Sequence, residues 1–300
     1  MHAAIPGGNM ARDRKPSLTR ASTNTNADTG TGTGTGTGTH LRTDPRPHTH
    51  PRARLAAAAL AALTVGTTTL ALAETPAIAA ATTAGAAASP TKGHDVSSHQ
   101  KNVNWPSAKA KGATFVYVKA TESTTYRNPY FSQQYDGARK AGIIRGAYHF
   151  ALPDRSSGGS QAAYFVAHGG DWKADGWTLP PALDIENNPY DKKHPCYGLS
   201  KTGMVNWIKA FSAEVKQETG RRPVIYTTAL WWKTCTGDNA SLASTHALWI
   251  ARHESADAGS LPAGWSYWTF WQYDNSGSLP GDQNLFNGTV SQLRKFARGY

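Results

Sequence analysis

Short segments rich in β-branched and aromatic residues recur through the last two thirds of the chain, and helix-like segments separate the first five. Strands that alternate with helices are typical of βαβ units, so this pattern predicts an α/β protein built on a parallel sheet. Seven segments are predicted to be strands, and "DQNLF" is a candidate eighth. They cover residues 93–98, 114–122, 143–151, 181–186, 223–228, 247–252, 267–274 and 282–286.

Three of the intervening segments have helical patterns. In "SKTGMVNWIKAFSAEVKQETG", apolar residues recur at helical spacing between the N-cap residue Ser200 and Gly220. Two further helices are predicted over residues 128–142 and about 160–168.

The last third departs from this rhythm. Only the 14 residues "HESADAGSLPAGWS" separate segments 247–252 and 267–274, which is too few for a good crossover helix. We therefore expect a single barrel that begins as β/α repeats and finishes with plain strands. An open doubly wound sheet is the alternative, but no G-x-G-x-x-G turn follows any strand.

The folded unit is confined to residues 92–300, because all 10 Trp, 12 Tyr and 8 Phe lie after residue 90. Residues 1–51 contain a Thr/Gly repeat and a Pro/His/Arg tract, which predict disorder or a mispredicted start. Residues 52–79 combine two arginines, an apolar run and "AIA", the pattern of a secretory signal, and residues 80–91 form a linker. The threonines at 64 and 67–69 disfavour the alternative of a membrane span.

Charge and cysteine content limit the classes of partner. The formal charge is +11, and the residues after 91 carry 23 basic against 16 acidic side chains, without the runs typical of nucleic-acid binding. An exported basic domain fits an anionic polymer such as a bacterial wall, although a merely solvated surface fits equally well. Cys196 and Cys235 are expected to pair after export, with two unrelated thiols as the alternative.

Acidic residues stand at the ends of several predicted strands: Asp95, Glu122, Asp184, Glu186 and Asp282. Chemistry in a parallel barrel occurs at the carboxyl ends of the strands, so these side chains are expected around one mouth. Asp184 and Glu186 are two residues apart and share a strand face. Crowding raises the pKa of at least one carboxyl, which is what general acid cleavage of a glycosidic bond requires. A solvated edge or salt-bridged pair is the alternative.

Aromatic residues and histidines are further candidates for the same site. Aromatic residues are concentrated towards the C-terminus and suit a sugar-binding groove, with core packing as the alternative; they are Trp231, Trp232, Trp265, Trp268, Trp271 and Tyr273. His94, His99 and His149 lack the H-x-x-x-H or H-E-x-x-H spacing of a metal site, so no metal or cofactor is expected. His149 is expected to be a hydrogen-bonded residue near the barrel mouth.

The ordered motifs "GHDVSSHQKNVNW", "VYVKATESTTYRNPYF", "GAYHFA", "ALDIE", "VIYTT", "LWIAR" and "FWQYD" with "PGDQNLFNG" resemble glycoside hydrolase family 25, the Chalaropsis-type lysozymes. The resemblance covers nearly all of residues 92–300. It implies an irregular (β/α)5(β)3 barrel and a secreted muramidase that hydrolyses the β-1,4 bond between N-acetylmuramic acid and N-acetylglucosamine.

The resemblance also implies roles for individual residues. Glu186 matches the proton donor, Asp184 a carboxylate that stabilises the reaction centre or assists the substrate N-acetyl group, and Asp95 and Asp282 two further acids of the site. Residues in motifs that line the sugar cleft are Tyr148, Tyr226, Trp249 and Gln272. The chain departs from the family at Ser123, where glycine is common.

Peptidoglycan glycan strands are thus the expected partner of a monomeric, extracellular or wall-associated enzyme that binds neither membrane nor nucleic acid. Two alternatives stay open at this point. One is a wall-binding barrel that keeps the groove without activity, and the other is a basic nucleic-acid binder.

Overall fold

The computed structural model describes residues 89–300, in which one sheet closes on itself. Strand β1 pairs with both β2 and β9, so eight strands form a barrel, and β3 pairs with β2 outside the ring. The strands are β1 (Thr91–Val96), β2 (Phe115–Glu122), β3 (Tyr126–Arg127), β4 (Ile144–Phe150), β5 (Ala182–Asp184), β6 (Val224–Thr227), β7 (Leu248–Ala251), β8 (Phe270–Asp274) and β9 (Asp282–Phe286).

A helix follows each of the first five barrel strands, and a sixth helix follows β9. They are α1 (Trp105–Ala110), α2 (Phe131–Lys140), α3 (Gly158–Phe165), α4 (Lys201–Thr219), α5 (Ala229–Thr236) and α6 (Val290–Arg298). Local signals set their ends: the Ser200 side chain caps α4, and Gly220 ends it in the left-handed conformation with φ of 76°.

This order is the expected (β/α)5(β)3 barrel. All neighbouring barrel strands from β1 to β8 run parallel, and β9 runs antiparallel to both β8 and β1. The open-sheet alternative is wrong, because β1 pairs with both neighbours. All eight predicted strands and the three predicted helices are present, whereas α1, α5, α6 and the short β3 were not predicted.

Two apolar layers stabilise the barrel. Its interior is filled mainly by aromatic rings, among which Tyr117 stacks on Trp249 with centroids 4.8 Å apart. A second layer lies between strands and helices and receives Leu183 and Ile185 of the β5 segment. Because side chains alternate along a strand, Asp184 and Glu186 are directed to the barrel interior.

The expected disulfide is confirmed. Cys196 and Cys235 are bonded, with Cα atoms 5.3 Å apart, and join the loop after β5 to helix α5. The predicted N-terminal extension and secretory signal lie outside the described residues, as does the linker apart from its last residues, since β1 begins at Thr91. Within residues 89–300 no helix is long and apolar enough to cross a membrane.

Candidate active site

Four acids meet in a cavity of about 230 Å³ at the carboxyl end of the barrel: Asp95, Asp184, Glu186 and Asp282. Asp95 lies near the end of β1, and Asp184 ends β5. Asp282 reaches the same rim from the opposite chain direction, because β9 is antiparallel and starts where its neighbours end. In the strand register Asp282 stands directly opposite Asp95.

Asp95 is buried and held by amides. Its Oδ2 accepts hydrogen bonds from Gln272 Nε2 at 2.9 Å and Asn284 Nδ2 at 2.6 Å. Burial, reinforced by the nearby Asp282, outweighs these donors and raises the pKa of Asp95 to about 8. Burial therefore favours the neutral form of Asp95.

Asp184 and Glu186 form the centre of the cavity. Burial and the neighbouring Glu186 raise the pKa of Asp184 well above its usual range, and Asp184 Oδ1 is buried without a hydrogen-bond partner among residues 89–300. Burial also raises the pKa of Glu186, which Asp282 raises further and Lys119 opposes. The pair thus resists full ionisation, which is the property that a general acid requires.

Asp282 is less enclosed than the other aspartates. Burial raises its pKa, Asp274 adds to the rise, and His253 opposes it. The His253 ring is fixed by a 2.7 Å hydrogen bond between its Nε2 and Gln272 Oε1. The three aspartates therefore differ in their polar surroundings although they border one cavity.

The four residues predicted to line the sugar cleft do border this cavity: Tyr148, Tyr226, Trp249 and Gln272. Tyr226 donates its hydroxyl hydrogen to Gln272 Oε1 at 2.9 Å, and Trp249 Nε1 donates to Asn284 Oδ1 at 2.7 Å. Since Gln272 and Asn284 both donate to Asp95, a continuous hydrogen-bond network joins the aromatic wall to an acid.

Sequence reasoning missed a cation at the centre of the site. Lys119 lines the cavity and also a larger adjoining hollow of about 590 Å³, which extends to Tyr190. Its Nζ lies 2.6 Å from Glu122 Oε2 and 4.5 Å from the centroid of the Phe150 ring. Glu122 borders only the adjoining hollow, where it accepts a hydrogen bond from the Tyr190 hydroxyl. The motif "VKATE" was the available signal, since it places Lys119 and Glu122 on one strand end.

Two sets of residues considered for the site lie outside the catalytic cavity. None of the six C-terminal aromatic residues lines the catalytic cavity; Trp231 and Trp232, for example, are buried in the layer between strands and helices. His149 also faces that layer, where it bonds Thr121 and Gln161, because it alternates with the inward-facing Tyr148. Within residues 89–300 no group of three or more His, Cys, Asp or Glu side chains is arranged to hold a metal ion.

Ser123, the position at which the chain departs from the family motif, adopts a conformation typical of glycine. Its φ of 49° lies in the left-handed region, where glycine is favoured, and its backbone N–H donates to Phe150 O. The loop after β2 keeps this conformation with serine.

A (β/α)5(β)3 barrel with acids gathered at its carboxyl mouth defines the class of the protein, a glycoside hydrolase. Residues 94–282 match the family described as Glycosyl hydrolases family 25. The chain belongs to this family.

Curated relatives and solved structures agree with this family assignment. The chain is 48% identical over 211 residues to Lysozyme M1 of Streptomyces globisporus, covering 69% of this chain and 71% of that protein. It is 45% identical to the N,O-diacetylmuramidase of Chalaropsis sp, covering 69% and 99%. The muramidase structure from Acremonium alcalophilum is 50% identical, with a TM-score of 0.68 and coverage of 70% and 99%.

Proposed function

We propose that the protein is a lysozyme that hydrolyses the β-1,4 bond between N-acetylmuramic acid and N-acetylglucosamine in peptidoglycan. The observation that carries this proposal is the convergence of four acids from three separated strand segments in one cavity. Relatives described as a lysozyme and a muramidase, at 45 to 50% identity, support the substrate.

Glu186 is proposed as the general acid. It is the one of the four acids that borders both the catalytic cavity and the adjoining hollow, so it faces the path of an extended substrate. Its carboxyl donates a proton to the glycosidic oxygen as the bond from that oxygen to C1 breaks. Water supplies the new hydroxyl at C1, and the proton that the water releases returns to the Glu186 carboxylate.

Asp184 is proposed to stabilise the charge that develops on the sugar. Burial favours its neutral form, and the neighbouring Glu186 adds to this preference. Positive charge at the anomeric carbon, or the polarised N-acetyl group of the substrate, favours its carboxylate and leaves the shared proton on Glu186. The unpartnered Oδ1 is available for this contact.

The remaining residues position the substrate. Asp95 and Asp282 shape the polar side of the cavity, and sugar rings pack against the wall formed by Tyr148, Tyr226 and Trp249. Gln272 orders this wall through its bonds to Tyr226 and Asp95.

Turbidity of a purified wall suspension tests the assignment. Glu186→Gln keeps the shape of the side chain but removes the acid, so we expect the clearing rate to fall about 10²- to 10⁴-fold. Glu218→Gln, on the exposed surface of α4, is the matched control and should clear walls like the parent protein. Clearing by Glu186→Gln at the rate of the parent would contradict the role of Glu186 as general acid. The inactive wall-binding barrel would instead leave the parent protein without activity.

We also propose that the protein is exported and acts as a monomer. Export is supported by residues 52–79, which have the composition of a secretory signal, and by a substrate that lies outside the cell. Mass spectrometry of protein recovered from culture medium tests this: a mature N-terminus shortly after Ala79 supports export, and a retained signal segment contradicts it.

A further inference from the structure

A second groove lies at the opposite end of the barrel from the acids. Two hollows of about 610 and 290 Å³ share Arg221, Thr245, Ala247 and Phe296 and so form one groove. It borders the amino-terminal ends of β6, β7 and β8, whereas the catalytic cavity borders the carboxyl ends. Nothing in the proposed reaction uses this surface.

Aromatic side chains line the larger hollow. Tyr267 is 66% exposed, which is unusual for a large ring that borders a concave surface. Trp268 lies beside it, and the indole N–H of Trp268 donates to no group within residues 89–300. The bottom of the groove contains Phe286 and Phe296, whose ring centroids lie 6.1 Å apart with the ring planes tilted by 40°. Trp268 is half-buried and packs edge-on against Trp271, with centroids 6.0 Å apart. The exposed Tyr267 ring beside a free indole donor favours a ligand that has both apolar faces and hydroxyl groups.

Basic side chains line the smaller hollow: Lys216, Arg221 and Arg222. Arg221 already has partners, since its Nη1 donates to Gly299 O at 3.2 Å and its guanidinium lies 5.4 Å from the Phe296 ring centroid. Arg222 makes no ion pair within the described part of the chain. A free guanidinium beside a second cation is suited to a carboxylate.

We propose that this groove is a second binding site for a peptidoglycan glycan strand, distinct from the catalytic cavity. Pyranose faces pack on Tyr267 and Trp268, the Trp268 N–H donates to a sugar hydroxyl, and Arg222 pairs with a carboxylate of the strand. The proposal rests on the proposed function for the identity of the polymer. Charge complementarity supports it, because the peptide stems of the strand carry carboxylates and the residues after 91 have a net charge of +7.

Two sites at opposite ends of a rigid barrel have a kinetic consequence. One strand in the groove keeps the enzyme on an insoluble network while the catalytic cavity meets a neighbouring strand. A short soluble substrate gains nothing from this, because it occupies one site at a time. The groove is therefore expected to affect binding to walls without affecting turnover of soluble fragments.

Three variants separate the contributions: Tyr267→Ala, Arg222→Glu and, as an aromatic control, Tyr164→Ala on α3, away from both grooves. Binding to purified walls is measured by sedimentation in the Glu186→Gln background, so that the walls stay intact. We expect the apparent affinity to fall about fivefold for Tyr267→Ala and for Arg222→Glu, and to stay unchanged for Tyr164→Ala. In the otherwise unaltered enzyme, kcat/KM on a soluble muropeptide tetrasaccharide should stay within about twofold of the parent value for all three variants.

Wall binding that is insensitive to Tyr267→Ala would overturn the proposal. Loss confined to Arg222→Glu and abolished by salt would also overturn it, because the groove would then attract any polyanion without a sugar contact. Failure of the proposed function gives a different result: the parent protein would cleave neither walls nor the soluble tetrasaccharide. Circular dichroism of each variant confirms that altered binding is not a loss of fold.

Discussion

At the scale of single residues, the site depends on carboxylates with unequal surroundings. Asp95 receives two amide hydrogen bonds on one oxygen, whereas Asp184 has an unpartnered oxygen, and Lys119 lowers the pKa of Glu186. Burial raises the pKa of every member. The neighbours then decide which carboxyl gives up its proton, so charges beside Glu186 are expected to tune the pH range of activity.

Removing a positive charge and removing a negative charge beside Glu186 should move the pH range of activity in opposite directions. Lys119 favours the ionised form of Glu186, so Lys119→Met raises the pKa of Glu186 and moves the basic limb of kcat/KM to higher pH. Asp282 disfavours the ionised form, so Asp282→Asn lowers that pKa and moves the limb to lower pH. The limb reports loss of the acid proton as pH rises. Profiles of kcat/KM on a soluble substrate measure both shifts, and movement of both variants in one direction would refute the electrostatic account.

Sequence patterns predicted these acids because strand ends are visible in the sequence. Asp184 and Glu186 follow an apolar run, and the i, i+2 rule gives them a common face without any knowledge of the fold. Lys119 and His253 were missed because each acts through neighbours from other segments, such as Glu186 and Gln272. Such contacts depend on the closed barrel: the motif "VKATE" places Lys119 at a strand end, but it does not show that Lys119 faces Glu186.

At the scale of elements, the loop 187–199 forms one wall of the substrate path. It begins directly after Glu186, and Asn188 Oδ1 accepts the backbone N–H of Tyr190 at 3.0 Å. The far side of the loop is fixed to α5 by the disulfide and by Trp231 Nε1, which donates to Pro195 O at 3.1 Å. The tip reaches across the path, where Tyr190 bonds Glu122. The disulfide thus holds the element that shapes the hollow beside Glu186.

Removal of the disulfide should affect both stability and substrate binding. The bond closes a loop across a sequence separation of 39, so replacing Cys196 and Cys235 by serine is expected to cost about 3 to 4 kcal/mol. That loss lowers Tm by about 10 °C, and KM for walls rises as the loop 187–199 loosens. Calorimetry and wall-clearing kinetics measure the two effects.

Tyr190→Phe is the control for this prediction. It removes only the hydroxyl that bonds Glu122, so KM should rise while Tm stays within about 1 °C of the parent value. An unchanged Tm in the double serine variant would show that the bond does not constrain the folded domain.

Strands were easier to predict than helices at this scale. The barrel strands are short and apolar between Gly and Pro signals, and all eight were recognised. Helices α1, α5 and α6 have only 6, 8 and 9 residues, and such short helices depend on tertiary packing more than on their own propensity. The packing of Trp231 and Trp232 in α5 explains why these residues, expected in the groove, are in the core.

At the scale of the whole molecule, closure of the barrel brings the site together. The seam is the antiparallel pairing of β1 with β9, which joins the two ends of the folded unit and places Asp95 opposite Asp282. Sequence reasoning predicted a barrel but not this register, because pairing between distant strands depends on the fit of the completed ring. Gly281, directly before β9, packs tightly against the end of β1: a Cβ there would lie 2.0 Å from Asp95 O.

Gly281→Ala should therefore open the seam, and Gly142→Ala is its matched control. Both glycines have positive φ, 76° and 70°, but a Cβ at Gly142 meets nothing within 4 Å. Gly142→Ala introduces only backbone strain, which lowers the free energy of unfolding by about 1 kcal/mol. This variant should keep full activity. Gly281→Ala adds a backbone clash, so we expect a loss above about 3 kcal/mol in urea unfolding. Because the clash separates Asp95 from Asp282, activity should fall even in the fraction that stays folded. Similar stability losses in the two variants would mean that β1 and β9 can move apart without cost, and the seam would then not be what holds the acids in one cavity.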